Sequence, residues 1–285
     1  MSTSPHIDLN ADLGESTAGN PVADDAAMME LVTSANVACG FHAGDPHHIA
    51  KTLRQAKEHN ITVGAHPGYN DKAAFGRRYI AYNPAELADE VLYQIGALDA
   101  LARAAGTKVS YVKPHGAMYN AIVHDHDQAK AVIEGIKAFG DLPVMLLPGA
   151  VAIDYAEAAG LTVIREAFAD RGYLPDGTLV PRSQEGAVLH DAHQVADRVL
   201  QVARDGSVTA IDGTVLKVNA DSICVHGDSP GAVEMTRQIV RDLDAAGVVR
   251  KLSYDAYYSR GGFAGVARGP ARSEHGAALA RSSYC

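Results

Sequence analysis

No basic excess, no long apolar run and no paired cysteines occur in this sequence, and each absence removes a class of function. Lysine and arginine number 25 against 34 aspartates and glutamates, a net charge of −9. That balance argues against nucleic acid as a partner, because phosphate backbones are bound mainly through cationic side chains. No stretch approaches the about eighteen consecutive apolar residues that a membrane-spanning helix needs. The opening residues, MSTSPHIDLN, carry no basic segment followed by an apolar one, so no secretory signal is expected. The three cysteines, Cys39, Cys224 and Cys285, are far apart and odd in number, which gives neither a zinc-type pair nor a disulfide framework. A reducing cytoplasm is the expected compartment. Neither a G-x-x-x-x-G-K-[ST] phosphate loop nor a glycine-rich dinucleotide fingerprint after the first strand is present.

What is present is a regular alternation. Short apolar or β-branched runs, HIDLNADLG, ANVACGF, ITVGAHPG, KVSYVKPHG, LPVMLLPG, LTVIREAFAD and SICVHGD, are separated by segments with helical spacing. Among the latter, Leu87, Val91, Ile95 and Leu98 mark a helix over 84–105. Asn83 is positioned to cap it, Pro84 suits its first turn and Glu86 can complete a capping box. Further helices are expected in DDAAMMELVTS, from Pro46 to Asn60, near 193–204 and around Met235, Ile239 and Leu243, with a hairpin turning at Asp212-Gly213. Seven strand–helix units in series predict a parallel sheet with right-handed crossovers. Without a dinucleotide fingerprint, a closed seven-stranded β/α barrel is favoured over a doubly wound sheet. One catalytic domain is expected over residues 1–250, followed by a flexible extension, 251–285, rich in Gly, Ser and Ala.

The chemical signal lies in polar residues at strand ends. Side chains two apart share a face of a strand. Asp8, Asn10 and Asp12 therefore oppose Ile7, Leu9 and Ala11. Gly64 pairs with His66, Lys113 with His115, Glu166 with Asp170, and Cys224 with His226 and Asp228. In a parallel barrel the outer face is covered by helices and must be apolar, so these polar faces point inward. They also fall near the C-terminal strand ends, where barrel active sites are built. His42, His66, His115 and His226 each end a separate strand beside Gly or Pro, which sets them apart from His124 and His126 in a polar loop.

Plainer readings compete at several positions. Asp45 before Pro46 is explained equally well by helix capping, and His47 and His48 by the surface of that helix. Gly40 and Gly44 in NVACGFHAGDP, residues 36–46, turn the chain, and the same turn brings Asn36 and His42 to the rim. Cys39 reads as a small buried apolar residue rather than a nucleophile. Arg77 and Arg78 in FGRR, with Arg171 and Arg182 after the sixth strand, can hold carboxylate or phosphate through planar forks, or form surface ion pairs.

Taken together, DLNADLGE (8–15), NVACGFHAGDP (36–46), GAHPGY (64–69), FGRR (75–78), VKPHGAMYN (112–120), EAFADRGY (166–173), LVPRSQEGAVL (179–189) and ICVHGD (223–228) resemble the LamB/YcsF family from about residue 6 to 248. One mild departure is Gly68-Tyr69, where many relatives carry Ser-Phe. The resemblance implies a barrel like that of the glycoside hydrolase/deacetylase superfamily. It also implies ATP-dependent opening of 5-oxo-L-proline (pyroglutamate) to L-glutamate, with ATP as co-substrate and 5-oxoprolinase subunits B and C as partners. Deacetylases of that superfamily bind a divalent metal through aspartate and histidine, which makes Asp8, His66 and His226 the candidate ligands here.

A lactam is a poor electrophile, and phosphorylating its oxygen activates the ring carbon for water. Such a site needs a base, donors for phosphoryl oxygens and a cation for the substrate carboxylate. Asp12 or Glu15 is the expected base, and Lys113 and His115 are expected to stabilise the developing charge. Arg77, Arg78 or Arg182 is expected to hold the carboxylate, with Asn10, Asn36, His42 and His66 around the substrate. Without a phosphate loop, ATP phosphates either meet the glycine-rich strand ends or are held partly by a partner subunit. The competing readings are a metal-dependent carbohydrate deacetylase-like hydrolase and a non-catalytic scaffold for the other subunits.

Overall fold

Alternation along HIDLNADL sends every second side chain into a helix-covered layer, and the chain closes on itself to use both faces. The computed structural model describes residues 5–17, 22–227 and 231–252. Its parallel strands are β1 (His6–Leu13), β2 (Ser34–Ala38), β3 (Thr62–His66), β4 (Val109–Val112), β5 (Val144–Leu146) and β6 (Val163–Phe168). An antiparallel hairpin follows, β7 (Ser207–Thr209) with β8 (Val215–Lys217), then β9 (Ser222–Cys224) and the short β10 (Val249–Arg250). Strands β1 to β6 are neighbours in order, β6 pairs with β9, and β9 pairs with β1, which closes a barrel of seven parallel strands. β10 adds to β1 outside the ring, with His6 opposite Val249.

Helices cover the outside: α1 (Asp25–Met29), α2 (Pro46–Glu58), α3 (Pro84–Ala104), α4 (Gly116–Ala121), α5 (His126–Phe139), α6 (Ala152–Ala158), α7 (Ala192–Asp205) and α8 (Ala232–Ala245). Their starts follow local chemistry. Asp45 caps α2, accepting from the backbone N–H groups of His47 and His48 at 3.0 Å each, and Pro46 occupies the first turn. Asn83 caps α3 in the same way through Ala85 N–H at 2.9 Å. The helix expected in DDAAMMELVTS is only five residues long, because the chain turns after Met29 and Thr33 N–H already bonds the Leu9 carbonyl beside β1. No helix among the described residues is long and apolar enough to cross a membrane.

The two faces of β1 separate as their chemistry requires. Ile7, Leu9, Ala11 and Leu13 are buried in the hydrophobic layer between barrel and helices, while Asp8 and Asn10 are fully buried inside the barrel. Cys39 joins the hydrophobic layer, and burial pushes its thiol up to about 12, so it behaves as an apolar side chain. Asp228, expected on the seventh strand, and residues 253–285 of the extension expected over 251–285 lie outside the described residues. Just before that boundary, Lys251 N–H bonds the Ile7 carbonyl and Leu252 is buried.

Gly64 faces inward beside Tyr111, and a Cβ there would lie 2.3 Å from the tyrosine ring. That ring cannot swing away freely, because its hydroxyl donates to Asn36 Oδ1 at 2.6 Å. Gly64→Ala is therefore expected to lower unfolding free energy by about 1–3 kcal/mol in denaturant titration. Unchanged stability would contradict this contact.

Candidate functional site

The barrel interior is organised around one ammonium group. Lys113, directly after β4, is buried, and its Nζ lies 2.7 Å from Glu166 Oε1 on β6 and 3.3 Å from Asp12 Oδ1 on β1. Asn10 Oδ1 at 3.2 Å and Cys224 Sγ at 3.1 Å complete its shell. Burial alone would depress the lysine's pKa, but Asp12, Cys224 and Glu166 outweigh it and hold the group well above its usual range. Burial acts on Asp12 in the opposite sense, raising its pKa. His66 and Lys113 prevail, and the carboxylate sits well below its usual range. Asn36 donates to Asn10 at 2.7 Å and to Asp12 at 2.8 Å, so both amides brace the charged groups from beneath.

Above this layer lie three imidazoles. His66 Nδ1 is 2.7 Å from the Lys113 carbonyl, and His66 Nε2 is 3.3 Å from Asp12 Oδ2. His115 Nε2 is 2.8 Å from the Phe75 carbonyl, while its Nδ1 lies 3.0 Å from His66 Nε2. His42 stacks on His115 with ring centroids 3.7 Å apart, and its Nε2 is 3.1 Å from Glu15 Oε1. Burial, reinforced by the neighbouring histidines, holds His42 and His115 well below the ordinary imidazole pKa. The loop carrying FGRR closes over these rings because position 76 is glycine. A Cβ there would come within 2.7 Å of His42 and 2.9 Å of His115, and its φ of +62° is one that glycine adopts without strain. Phe75, just before it, holds φ at 55°, an uncommon conformation for a bulky residue.

A cavity of about 580 Å³ opens at the C-terminal strand ends. Asp12, Glu15, His66, Arg77, Lys113, His115, Arg182 and His226 all line it, so the structure brings together most of the residues singled out in the sequence. His226 Nδ1 is 2.7 Å from Asp170 Oδ1, and its Nε2 lies 3.5 Å from Arg182. Burial would lower the His226 pKa, but Asp170 overrides it and the imidazole is raised. Asp170 is lowered despite its own burial, because His226 faces it.

Other expected positions lie elsewhere. Asp8 sits at the opposite end of the barrel, with its oxygens taken by Thr33, Ser34 and Ser222 hydroxyls. Burial raises its pKa. Asp8, His66 and His226 consequently do not assemble as metal ligands. Among the described residues, two other groups of donors converge: Glu15, His42, His66 and His115, and separately Asp12, Cys224 and His226. Asn10, Asn36 and His42 lie behind the cavity wall rather than on it. Arg78 is 68% exposed and pairs with Asp71 at 3.0 Å. Arg171 borders the cavity but is buried and spends its guanidinium on the Ala187 and Val180 carbonyls at 3.0 and 2.7 Å, which ties down the loop after β6. Burial depresses its pKa to about 10.

Among the cavity-lining residues that the sequence reading passed over are Phe168, which stacks against His226 with ring centroids 5.9 Å apart, Tyr119 on α4, and His124, set apart there as part of a polar loop. Glu166 is visible there only as an inward position on its strand. Its contact with Lys113 depends on strands far apart in sequence.

A profile of the LamB/YcsF family matches residues 7–256. The chain is 71% identical over 240 residues to the 5-oxoprolinase A subunit of Corynebacterium jeikeium (strain K411), covering 84% of this chain and 93% of that protein. It is 57% identical over 243 residues to the 5-oxoprolinase A subunit of Kocuria rhizophila, covering 85% and 96%. Among solved structures, the lactam utilization protein from Thermus thermophilus superimposes with a TM-score of 0.83 at 44% identity, over 87% of this chain and 99% of that one. The polar barrel interior, the imidazole cluster and the cavity above them thus belong to a chain that matches along nearly its whole described length. The chain belongs to the LamB/YcsF family.

Proposed function

We propose that the chain is the A subunit of an ATP-dependent 5-oxoprolinase, which opens 5-oxo-L-proline to L-glutamate while ATP becomes ADP and phosphate. The observation that carries this reading is the 71% identity across 93% of a relative named as a 5-oxoprolinase A subunit. The cavity's chemistry supports it. At about 580 Å³ it is of ligand-binding size, with charged groups of both signs on its wall.

In this reading ATP phosphorylates the lactam oxygen, and water adds to the activated ring carbon. The ring nitrogen then leaves as the amine, and a second water hydrolyses the acyl phosphate that remains. Asp12 or Glu15 takes the proton of the attacking water. The lowered pKa of Asp12 keeps it ionised, as a weaker base than a free carboxylate. Lys113 stabilises negative charge developing at the carbonyl oxygen, the role also expected of His115, whose ring proton is turned to the Phe75 carbonyl. His226, held by Asp170, returns a proton to the departing nitrogen. Arg77 or Arg182 on the cavity wall binds the substrate carboxylate, whereas Arg78 is engaged by Asp71. Two further subunits, B and C, complete the enzyme.

Two results are expected. Glutamate release from 5-oxoproline should require ATP and should appear only when the chain is combined with both partner subunits. Release by the chain alone without ATP would replace this reading with a simple hydrolase. In the assembled enzyme, Asp12→Asn should lower turnover by about a hundred- to ten-thousandfold with the far-ultraviolet circular dichroism unchanged. Near-normal turnover would remove Asp12 from the mechanism.

A further inference from the structure

We infer that Arg182 and His226, with Asp170 behind them, form the carboxylate subsite of the cavity, a two-donor seat for one monoanionic group of the ligand. The starting observation is a cation without a counter-ion. Arg182 lines the cavity, and among the described residues no carboxylate pairs with it; its polar contact is His226 Nε2 at 3.5 Å. A guanidinium nitrogen can only donate. On the far side of the imidazole, His226 Nδ1 is 2.7 Å from Asp170 Oδ1, and a carboxylate held ionised by its histidine can only accept, so Nδ1 carries a proton. Burial disfavours the charged ring, but Asp170 outweighs it, and Nε2 then carries a second proton. Two donors at 3.5 Å do not bond each other, but they can share one anionic acceptor group.

The charges fit one negative group. Asp170 offsets His226. Asp12, which has an oxygen within 4.8 Å of a His226 ring nitrogen, is itself paired with Lys113 and His66 at 3.3 Å each. Arg182 is the charge left over, which matches a carboxylate monoanion better than a phosphate dianion. The planar carboxylate also offers two oxygens to the two donors. The imidazole is fixed on its face as well, because Phe168 stacks on it with ring planes 14° apart and centroids 5.9 Å apart. Lys113 Nζ lies 5.3 Å from the centroid of that same Phe168 ring, so the ammonium and the Arg182–His226 pair stand around one aromatic residue.

5-Oxo-L-proline carries its carboxylate on the carbon at one side of the ring nitrogen and its carbonyl on the carbon at the other. With the carboxylate on Arg182 and His226 and the carbonyl toward Lys113, the ring nitrogen lies between them, on the side of the imidazole. Arg77 is placed less well for this, since its guanidinium lies over the Phe75 ring, 4.9 Å from the centroid, on the opposite wall. The choice of 5-oxo-L-proline as ligand rests on the reaction proposed above, whereas the anion seat rests on Arg182, His226 and Asp170 alone.

The test titrates the full chain by calorimetry with 5-oxo-L-proline, with its carboxamide, which keeps the ring and removes the charge, and with inorganic phosphate. The expected result is binding of 5-oxo-L-proline, with the carboxamide weaker by at least about 10-fold and phosphate unable to displace it at equal concentration. Arg182→Gln and His226→Gln should each weaken 5-oxo-L-proline binding by about 10- to 100-fold. Arg182 is exposed, so its replacement leaves the core intact, and circular dichroism with thermal melting checks the fold of both variants. In the assembled enzyme, Arg182→Gln should raise KM by a similar factor while kcat changes less than about threefold. Absence of binding by the folded chain, equal binding of the carboxamide, tighter binding of phosphate or unchanged binding after Arg182→Gln overturns the subsite. Glutamate release is a separate readout. Binding that depends on Arg182 without any release upholds the subsite and overturns the reaction, whereas release indifferent to Arg182→Gln overturns the subsite and keeps the reaction.

Discussion

A single buried lysine makes a polar barrel interior tolerable. Placing Asp12 and Glu166 inside a ring of strands would cost several kcal/mol per charge without compensation. Lys113 reaches both, while the Asn10 amide donates to Glu166 and the Asn36 amide to Asp12. Barrel cores are commonly filled with branched hydrocarbons. Here the hydrocarbon is displaced to the outside of the strands, where Ile7, Leu9, Ala11 and Leu13 meet the helices. The stability of the fold and the chemistry of its mouth are thereby joined, because the group that neutralises the interior also holds a carboxylate at the cavity floor.

The layer above depends on that arrangement. The Lys113 carbonyl fixes one ring nitrogen of His66, and Asp12 faces the other. Across the cavity, Arg171 is spent on backbone carbonyls, so the loop after β6 is a built wall. The Gly76 loop forms the opposite side by lying against His42 and His115 with no side chain between. The charged groups are therefore held in place before any ligand arrives, the condition under which electrostatic stabilisation of a transition state is most effective.

Much of this was legible in the sequence, and the limits of legibility have physical causes. The period-two pattern of HIDLNADL reports which face a residue occupies, and it separated Asp8, Asn10 and Asp12 from Ile7, Leu9 and Ala11 correctly. It carries no information about height along the barrel axis. Asp8 therefore looked equivalent to Asp12, although it is bonded to hydroxyls at the far end. Arginines in loops posed a similar problem: Arg77 and Arg78 are adjacent, yet one lines the cavity and the other pairs with Asp71. Contacts such as Lys113 with Glu166 and His66 with His115 arise from strand register between distant segments, which no local pattern encodes.

The account rests on coupling between Lys113 and the carboxylates it serves, and a double-mutant cycle measures that coupling directly. Lys113→Met, Glu166→Gln and the double variant would be compared by denaturant unfolding. Lys113→Met alone should cost about 3–5 kcal/mol, since it strands buried carboxylates. Glu166→Gln in the same chain should recover part of that loss, giving an interaction energy of about 1–3 kcal/mol. Single effects that add to within about 0.5 kcal/mol would show that the lysine does not hold the interior together.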